Sequence, residues 1–227
     1  MFLAPKGAFD RRAEREYYKS PPTVLRDFRF LEPQYRNFLR DCRAVFDGKV
    51  VVDVGAGECL HGMFAAATCE PRLYLNVDLF ADRMLLASRR RPSPVMRFAV
   101  GDIFRLPVRT EAADVVWTSL LMFRLGPLDP VVAEIARVLR PDGCFIGVEA
   151  NFWNPLVALR ILGRRPGHPH WNVNDGYLSP RHVRTAFEKR GFDVELRFFW
   201  RKLRWLRHPI LSPTLGVIAR RRAGRGA

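Results

Sequence analysis

The stretch VVVDVGAGECLHG, Val50 to Gly62, decides how the fold is interpreted. Its valines predict a short buried strand. The two glycines that follow predict a tight turn, in which a ligand can lie against the backbone without a Cβ in its way. The residues after the turn predict a helix. Strand, glycine turn and helix in this order indicate a ligand site at the carboxyl end of the strand.

The same alternation continues along the chain from Lys49 onward. The segments KVVVDV, RLYLNVDLF, VMRFAVGDI, ADVVWTSL and CFIGVEANF predict strands, and ECLHGMFAAAT, ADRMLLASRRR and DPVVAEIARVLR predict helices between them. This alternation favours a parallel sheet with helices on both faces and right-handed crossovers. In RVLRPDG, Pro141 and Gly143 predict the end of a helix, after which the next strand begins at Cys144.

The two ends of the chain depart from this alternation. Residues 1–44 are polar and arginine-rich with interleaved aromatic residues, and we interpret them as a helical lid across the mouth of a domain formed by residues 45–227. We expect Tyr17, Tyr18 and Tyr35 to line the pocket under this lid.

After the fifth strand, residues 151–178 form an insert with a short apolar helix and a loop. A final helix, with Ser179 as N-cap and Pro180 in its first turn, precedes FDVELRFFW and TLGVIARRR, which we expect to form an antiparallel pair. The predicted fold is a doubly wound α/β fold with a mostly parallel, seven-stranded sheet.

Composition narrows the class of protein. The 227 residues are 48% hydrophobic, enough for one core, and carry a formal net charge of +15. Such a charge suits a nucleic acid, an acidic membrane surface or a phosphorylated substrate, although biased codon usage explains the scattered arginines equally well. The longest apolar run is about half the ~20 residues that cross a bilayer, and the first residues become charged too early for a signal peptide. We therefore expect a cytoplasmic protein.

The four cysteines are widely spaced and show no C-x-x-C pattern. Cys42, Cys59, Cys69 and Cys144 therefore support neither a zinc site nor a disulfide framework. We expect buried thiols and no metal.

The glycine turn discriminates between ligands. A dinucleotide fingerprint G-x-G-x-x-G would place its third glycine at position 60, which is Leu60, so NAD is not supported. An acid instead precedes the first glycine by two residues, in the D-x-G-x-G of Asp53, Gly55 and Gly57. A carboxylate beside backbone amides and carbonyls suits a ligand head that carries both an ammonium and a carboxylate.

On these motifs the chain resembles the class I S-adenosylmethionine-dependent methyltransferases, of the small-molecule type 11 kind, over about residues 45–200. VVDVGAGEC is similar to their first motif, LNVDLF to the second, FAVGDIFRLPV to the third and ADVVWTSLLMF to the fourth, while EIARVLRPDGCFIGV resembles the helix, turn and strand that follow. One D-x-G-x-G is a weak signal, but five motifs in order are a strong one. The resemblance implies a Rossmann-like fold, S-adenosyl-L-methionine as cofactor and methyltransferase activity.

The resemblance also implies which residues hold the cofactor. The first motif would hold its methionyl part, Asp78 would accept both ribose hydroxyls, and Asp102 would accept from the adenine amino group while Ile103 covers a ring face. The fourth motif would lie where the sheet opens toward the methyl group. The implied cofactor-binding residues are Asp53, Gly55, Ala56, Gly57, Asp78, Leu79, Asp102, Ile103, Thr118 and Ser119.

The residues that would assist catalysis are less defined. Phe123 and Arg124 stand where many small-molecule relatives carry a histidine pair, so we expect no base from that position. Arg124 has a planar donor fork suited to a phosphate or carboxylate on the substrate, with a surface salt bridge as the alternative. Among the histidines, His170 beside Trp171 in the insert is the candidate base, and a solvated loop histidine is the alternative.

We interpret the protein as a methyltransferase that acts on an O or N atom of a small-molecule or lipid-linked acceptor. The fourth motif lacks the N-P-P-Y or D-P-P-Y with which base-amine enzymes of this fold grip a flipped nucleobase. An RNA methyltransferase and a catalytically silent scaffold of the same fold stay open as alternatives.

The C-terminal region carries charge of one sign. No acidic residue follows Glu195, and FWRKLRWLRHPIL would place Trp200, Leu203 and Leu206 on one helical face among basic residues. This pattern is typical of an interfacial helix and predicts peripheral binding to anionic membranes. The alternative is a basic connector between the last two strands.

Overall fold

The computed structural model describes residues 9–14, 38, 41–59, 62, 65–66, 69–90, 93–164, 174, 176, 178–200, 203 and 205–222. Within these ranges, seven strands form one sheet in the order β3-β2-β1-β4-β5-β7-β6. The strands are β1 (Val50–Val54), β2 (Leu73–Asp78), β3 (Met96–Val100), β4 (Ala113–Ser119), β5 (Leu139–Ala150), β6 (Phe192–Phe199) and β7 (Thr214–Arg221).

Helices and one short turn of 3-10 helix connect these strands. The helices are α1 (Arg43–Phe46), α2 (Ala81–Arg90), α3 (Leu128–Val138), α4 (Pro155–Leu162) and α5 (Pro180–Glu188), and the 3-10 turn is Met122–Arg124. Helix α5 begins as predicted, because the Ser179 hydroxyl accepts a hydrogen bond from the His182 N–H at 3.2 Å and Pro180 occupies the first turn.

Strand directions confirm the predicted fold class. Strands β1 to β5 pair in parallel, whereas β7 is antiparallel to both β5 and β6. Strand β1 lies inside the sheet with β2 on one side of it and β4 on the other, so the direction in which the sheet is built reverses at β1. This arrangement leaves a crevice at the carboxyl ends of the central strands, the usual ligand site of doubly wound sheets.

Strand β5 begins earlier than the sequence predicted. The prediction placed its start at Cys144, but the strand begins at Leu139. Leu139 pairs with Ala113 and Cys144 pairs with Val115, so the chain between them bulges out of register. Pro141 and Gly143 lie in this bulge, because proline cannot donate to the ladder and a bulge accommodates the extra residues.

The core lies in two layers, one on each face of the sheet, and β4 supplies both layers. Val116 packs with α3 residues on one face, and Val115 and Trp117 pack with Phe46 and Met84 on the other. All four cysteine side chains are buried, as expected. Phe38 is also in the core, where its ring stacks on Phe199 with centroids 5.5 Å apart, so the chain before position 44 already contributes to the packing.

The connector between β6 and β7 differs from its prediction. Its described residues are in turns or irregular structure, and none of them is helical. The interfacial helix predicted over FWRKLRWLRHPIL is therefore wrong for these residues, since Pro209 and several backbone contacts to the β5 exit hold the chain in an irregular path. In the described part of the chain, no helix has the length and apolar character required to cross a bilayer.

Two tryptophans test the packing of the core layer that contains Trp117, Phe46 and Met84. Trp117 is 0% exposed and Trp205 is 77% exposed. Trp117→Ala should lower the free energy of unfolding by about 3–5 kcal/mol, because it opens a large cavity in a close-packed layer. Trp205→Ala is the matched control and should change it by less than about 0.5 kcal/mol. Urea denaturation of both variants checks this, and equal stabilities would contradict the assigned packing.

Candidate functional site

The glycine turn after β1 is the centre of the site. Gly55 and Gly57 have φ angles of +73° and +56°, which residues with a side chain rarely adopt. The Gly55 N–H donates to the Val77 carbonyl oxygen at 2.9 Å, which ties the turn to the end of β2. A Cβ on Gly55 would also lie 2.7 Å from Leu121 Cδ2. The turn therefore requires glycine for both conformation and space.

Asp78 stands at the tip of β2, opposite this turn. Its Oδ2 accepts the Gly57 N–H at 2.7 Å, and its Oδ1 accepts the Phe80 N–H at 3.0 Å. Burial raises the pKa of this carboxyl, while the two N–H donors and the nearby Arg83 oppose the rise. A carboxylate has about four lone-pair sites, so Asp78 keeps acceptor capacity toward the cleft that it lines.

Asp53 lies on the other side of the turn. It is 2% exposed and accepts a hydrogen bond from the Tyr74 hydroxyl at 3.1 Å. Burial raises its pKa to about 7. A Cβ on Gly62 would lie 2.9 Å from Asp53 Oδ2, so the following helical segment packs closely against this carboxyl. Asp53 therefore lies in the core, bonded to β2, and is not among the residues that line the cleft.

A cleft of about 110 Å³ opens above the turn. Its walls include Gly55, Gly57, Asp78, Leu79, Asp102, Ile103 and Ser119, seven of the ten residues that the sequence proposed for the cofactor. Asp53, Ala56 and Thr118 are not among its lining residues. Further lining residues are Phe9, Glu14, Val54, Phe80, Arg83, Gly101, Leu120, Leu121 and Leu125. The volume of the cleft is below the ~300–1,000 Å³ of typical ligand sites, and Phe9 and Glu14 of the N-terminal segment are among the residues that line it.

The N-terminal segment 9–14 contacts the tip of β3 through Asp102. The Arg11 guanidinium binds Asp102 Oδ2 through both Nε and Nη2, each at 2.6 Å. Asp102 Oδ1 accepts the Phe104 N–H at 3.0 Å. Arg11 also lies over the rings of Phe104 and Phe9, 5.3 and 6.0 Å from their centroids. This contact fastens the segment over the cleft.

A buried polar cluster continues from the same segment. Arg124 Nη1 donates to Glu14 Oε1 at 3.2 Å, and Asn174 Nδ2 donates to Glu14 Oε2 at 2.8 Å. Asn174 also exchanges hydrogen bonds with the backbone of Asp10. The cluster joins the N-terminal segment, the 3-10 turn after β4 and the insert after β5. Arg124, for which we predicted a donor fork toward substrate, is directed at Glu14 and buried.

The turn after β4 is strained and is held by a buried acid. Leu120 has a φ of +52°, an unfavourable value for a branched side chain. Glu149, near the end of β5 and 0% exposed, accepts the N–H groups of Leu121 and Met122 at 3.2 and 3.0 Å. Burial raises the pKa of Glu149 to about 7, against these backbone donors. Glu149 therefore fixes the wall of the cleft that Leu120 and Leu121 form.

The remaining sequence candidates are distributed unevenly. Ser119 lines the cleft, whereas the Thr118 hydroxyl is buried in the sheet and makes no hydrogen bond within the described part of the chain. His182 is exposed at the start of α5. His170, together with His61, Trp171 and the three lid tyrosines, lies outside the described residues.

Several residues of the site were missed in the sequence analysis. Phe9 and Glu14 lie in the segment that was interpreted only as a lid, and no spacing relates them to the motifs. Glu149 had a recognisable signal, since it is the one acid inside the apolar run CFIGVEANF. An acid in a buried strand usually has a partner that requires it.

Comparison with known proteins agrees with this geometry. Residues 52–147 match the protein family described as a methyltransferase domain. The chain is 32% identical over 109 residues to the fatty-acid O-methyltransferase of Mycolicibacterium smegmatis, an alignment that covers 48% of this chain and 40% of that protein. It is also 32% identical over 160 residues to the phthiotriol/phenolphthiotriol dimycocerosates methyltransferase 1 of Mycobacterium ulcerans. That alignment covers 66% of this chain and 58% of that protein.

The fold itself is matched by a solved structure. A SAM-dependent methyltransferase from Aquifex aeolicus superimposes with a TM-score of 0.65 at 14% identity, over 93% of this chain and 99% of that one. Residues 52–147 are therefore similar in sequence to methyltransferase domains, and the fold is that of a SAM-dependent methyltransferase of known structure. The chain spans about half the length of the curated relatives that it matches.

The buried acid Glu149 predicts a pH dependence of stability. Its folded-state pKa of about 7 lies above the ordinary 4.5, so the folded protein binds more protons than the unfolded chain between these values. Stability should therefore fall as pH rises from about 4.5 to about 7, by at most about 1.4 kcal/mol per pH unit for this group. Glu149→Gln keeps an acceptor for the Leu121 and Met122 N–H groups and should reduce this loss.

Thermal unfolding between pH 5 and pH 8 measures the effect. Asp53 has a similarly raised pKa, so part of the dependence should persist in Glu149→Gln. Glu70→Gln, at a side chain 84% exposed, is the control and should follow the wild-type profile. Identical profiles for all three proteins would show that Glu149 is not the titrating group.

Proposed function

We propose that this chain binds S-adenosyl-L-methionine in the cleft and transfers its methyl group to an O or N atom of a small-molecule or lipid-linked acceptor. The observation that carries the proposal is the Asp78 carboxylate, held by the Gly57 and Phe80 N–H groups and facing the cleft. A fixed anionic acceptor at the tip of the second strand suits a ribose diol.

The other residues of the cleft fit the same ligand. The Gly55 turn leaves backbone uncovered where a side chain would collide with Leu121, which suits the methionyl part. Leu79 and Ile103 supply apolar surface on which an adenine ring can lie, and the Asp102 carboxylate is at its edge. Asp53, inside the core, would act on the methionyl part by supporting the turn rather than by direct contact.

Methyl transfer makes modest demands on the protein. When bound, S-adenosyl-L-methionine supplies a methyl group already activated by a positively charged sulfur. The chain must align the acceptor and exclude water, and alignment alone can contribute roughly 7–11 kcal/mol. The strained turn at Leu120, fixed by Glu149, and the segment 9–14 form the walls that do this. We keep His170 as the proposed base for an acceptor that must lose a proton.

Two observations support a lipid-linked acceptor over a small polar one. The relatives named above are methyltransferases for a fatty acid and for phthiotriol or phenolphthiotriol dimycocerosates. The cleft wall that follows Ser119 in the chain is apolar, because Leu120, Leu121 and Leu125 line it. A long apolar acceptor would find favourable surface there.

Removal of the Asp78 carboxylate tests cofactor binding. Asp78→Ala should weaken S-adenosyl-L-methionine binding by at least about tenfold, because each hydrogen bond to a charged acceptor contributes roughly 1.5–3 kcal/mol. Asp193→Ala, at an exposed carboxylate on β6, is the control and should bind normally. Calorimetry on both folded variants measures this, and unchanged affinity in Asp78→Ala would exclude the ribose role. NAD should not bind.

The segment 9–14 is expected to act as part of a lid over the bound cofactor. Arg11→Ala should weaken S-adenosyl-L-methionine binding about three- to tenfold, because the segment loses an ion pair in which two guanidinium nitrogens contact Asp102 Oδ2, together with two ring contacts. Arg12→Ala is the matched control, since Arg12 is exposed on the next position. Both are measured by the same calorimetry. Tighter binding in Arg11→Ala would mean that Arg11 competes with the ligand for Asp102.

A further inference from the structure

Large apolar side chains are exposed mainly at one place in the molecule. Of the nine that are exposed in the described part of the chain, six lie in only two segments, the start of α4 and the β6–β7 connector. These are Trp153, Leu156, Leu159, Trp205, Ile210 and Leu211. Leu156, Leu159 and Trp205 are 74%, 72% and 77% exposed. We call these six residues the apolar face.

The two segments of the apolar face are fastened to each other. Asn154, the N-cap of α4, donates to the Leu211 carbonyl oxygen at 2.9 Å. Asn151 donates to the carbonyl oxygens of Pro209 and Ser212 at 2.7 and 2.6 Å. These side chains are buried, so the hydrogen bonds hold the apolar face in one arrangement.

The charge within the two segments of the apolar face has one sign. The sequence has no Asp or Glu from position 150 to position 174, and none after Glu195. Arg160 is exposed one turn after Leu156 on α4, and Arg207 is exposed beside Trp205 in the connector. Exposed apolar side chains among arginines, without carboxylates, match the surface of an anionic lipid leaflet.

The apolar face lies at the same edge of the sheet as the cleft. Strand β5 ends at Ala150, which pairs with Thr214 at the start of β7, and β6 ends at Phe199 opposite the same residue. The connector therefore lies at the carboxyl edge, where the glycine turn follows β1 and where β2 ends at Asp78. The sheet order puts the apolar face over β5, β7 and β6, on the β4 side of the cleft.

We propose that the apolar face docks on the surface of an anionic phospholipid membrane. Four of the six residues of the apolar face are leucine or isoleucine, which favour hydrocarbon. A surface that binds single-stranded RNA relies instead on aromatic side chains that stack on the bases. Tryptophan suits the boundary between headgroups and acyl chains. The docked protein would turn the edge of the sheet that carries the cleft toward the membrane. A lipid-linked acceptor could then enter the cleft from the membrane, and only this last step rests on the proposed function.

This proposal replaces the helical face predicted from the sequence. Trp200, Leu203 and Leu206 are half-buried and not helical, and the exposed apolar residues described in that stretch are Trp205, Ile210 and Leu211. The membrane contact therefore combines two segments that are distant in sequence, and periodicity within either one could not indicate it.

Vesicle flotation tests the apolar face. The wild-type protein should float with vesicles of phosphatidylcholine and phosphatidylglycerol and not with phosphatidylcholine alone. Leu156→Asn combined with Leu159→Asn should reduce the partition coefficient by at least about tenfold, as should Trp205→Ser. The matched control is Leu85→Asn with Leu86→Asn on α2, whose leucines are 55% and 40% exposed, and it should float like the wild type.

Three results would overturn the proposal. These are absence of flotation with both kinds of vesicle, equal loss of flotation in the α2 control, and displacement from vesicles by polyuridylic acid with a steep salt dependence, which would indicate an RNA surface. Calorimetry with S-adenosyl-L-methionine on the same variants separates this proposal from the proposed function. Cofactor binding without flotation removes the membrane surface alone, and flotation without cofactor binding removes the methyltransferase proposal alone.

Discussion

The hydrogen bond from the Gly57 N–H to Asp78 Oδ2, at 2.7 Å, is the interaction on which the site depends. It joins the turn after β1 to the tip of β2, and it requires a positive φ that only glycine adopts readily. The parallel pairing of β1 with β2 brings these two ends to the same edge of the sheet. A carboxylate fixed in this way costs little to order when a ligand arrives, since its position is already determined.

The doubly wound, mostly parallel fold class and most of the site edge could be predicted from the sequence, because they depend on local patterns. The β-branched runs, the glycine turn and the acids after β2 and β3 each lie within a few residues of the element they define. The lid segment could not be predicted in detail. Arg11 meets Asp102 across 91 positions, and Glu14 meets Arg124 across 110, and no periodicity links them. The β5 bulge was missed because Pro141 and Gly143 favour a helix stop and a bulge equally.

Two buried acids at this edge carry a cost in stability. Asp53 and Glu149 both have pKa values raised to about 7 by burial, so each is destabilising in its charged form. An apolar residue at either position would avoid that cost. Glu149, however, accepts the N–H groups of the two residues that follow Leu120, which has a φ of +52°, and Asp53 accepts the Tyr74 hydroxyl of β2 just before the glycine turn. Strain and buried charge of this kind persist where the surrounding structure is required for ligand binding.

Charge is divided between the two halves of this edge. The β1–β3 side presents Asp78 and Asp102, which suit the hydroxyl and amino groups of a nucleoside. The β5–β6 side has exposed arginines around the apolar face and no carboxylate in its two segments. Exposed arginines without carboxylates attract an anionic surface, so such a surface would approach from the β5–β6 side. The strained turn at Leu120, held by Glu149, lies between the two halves, where a methyl donor from one side and an acceptor from the other would meet.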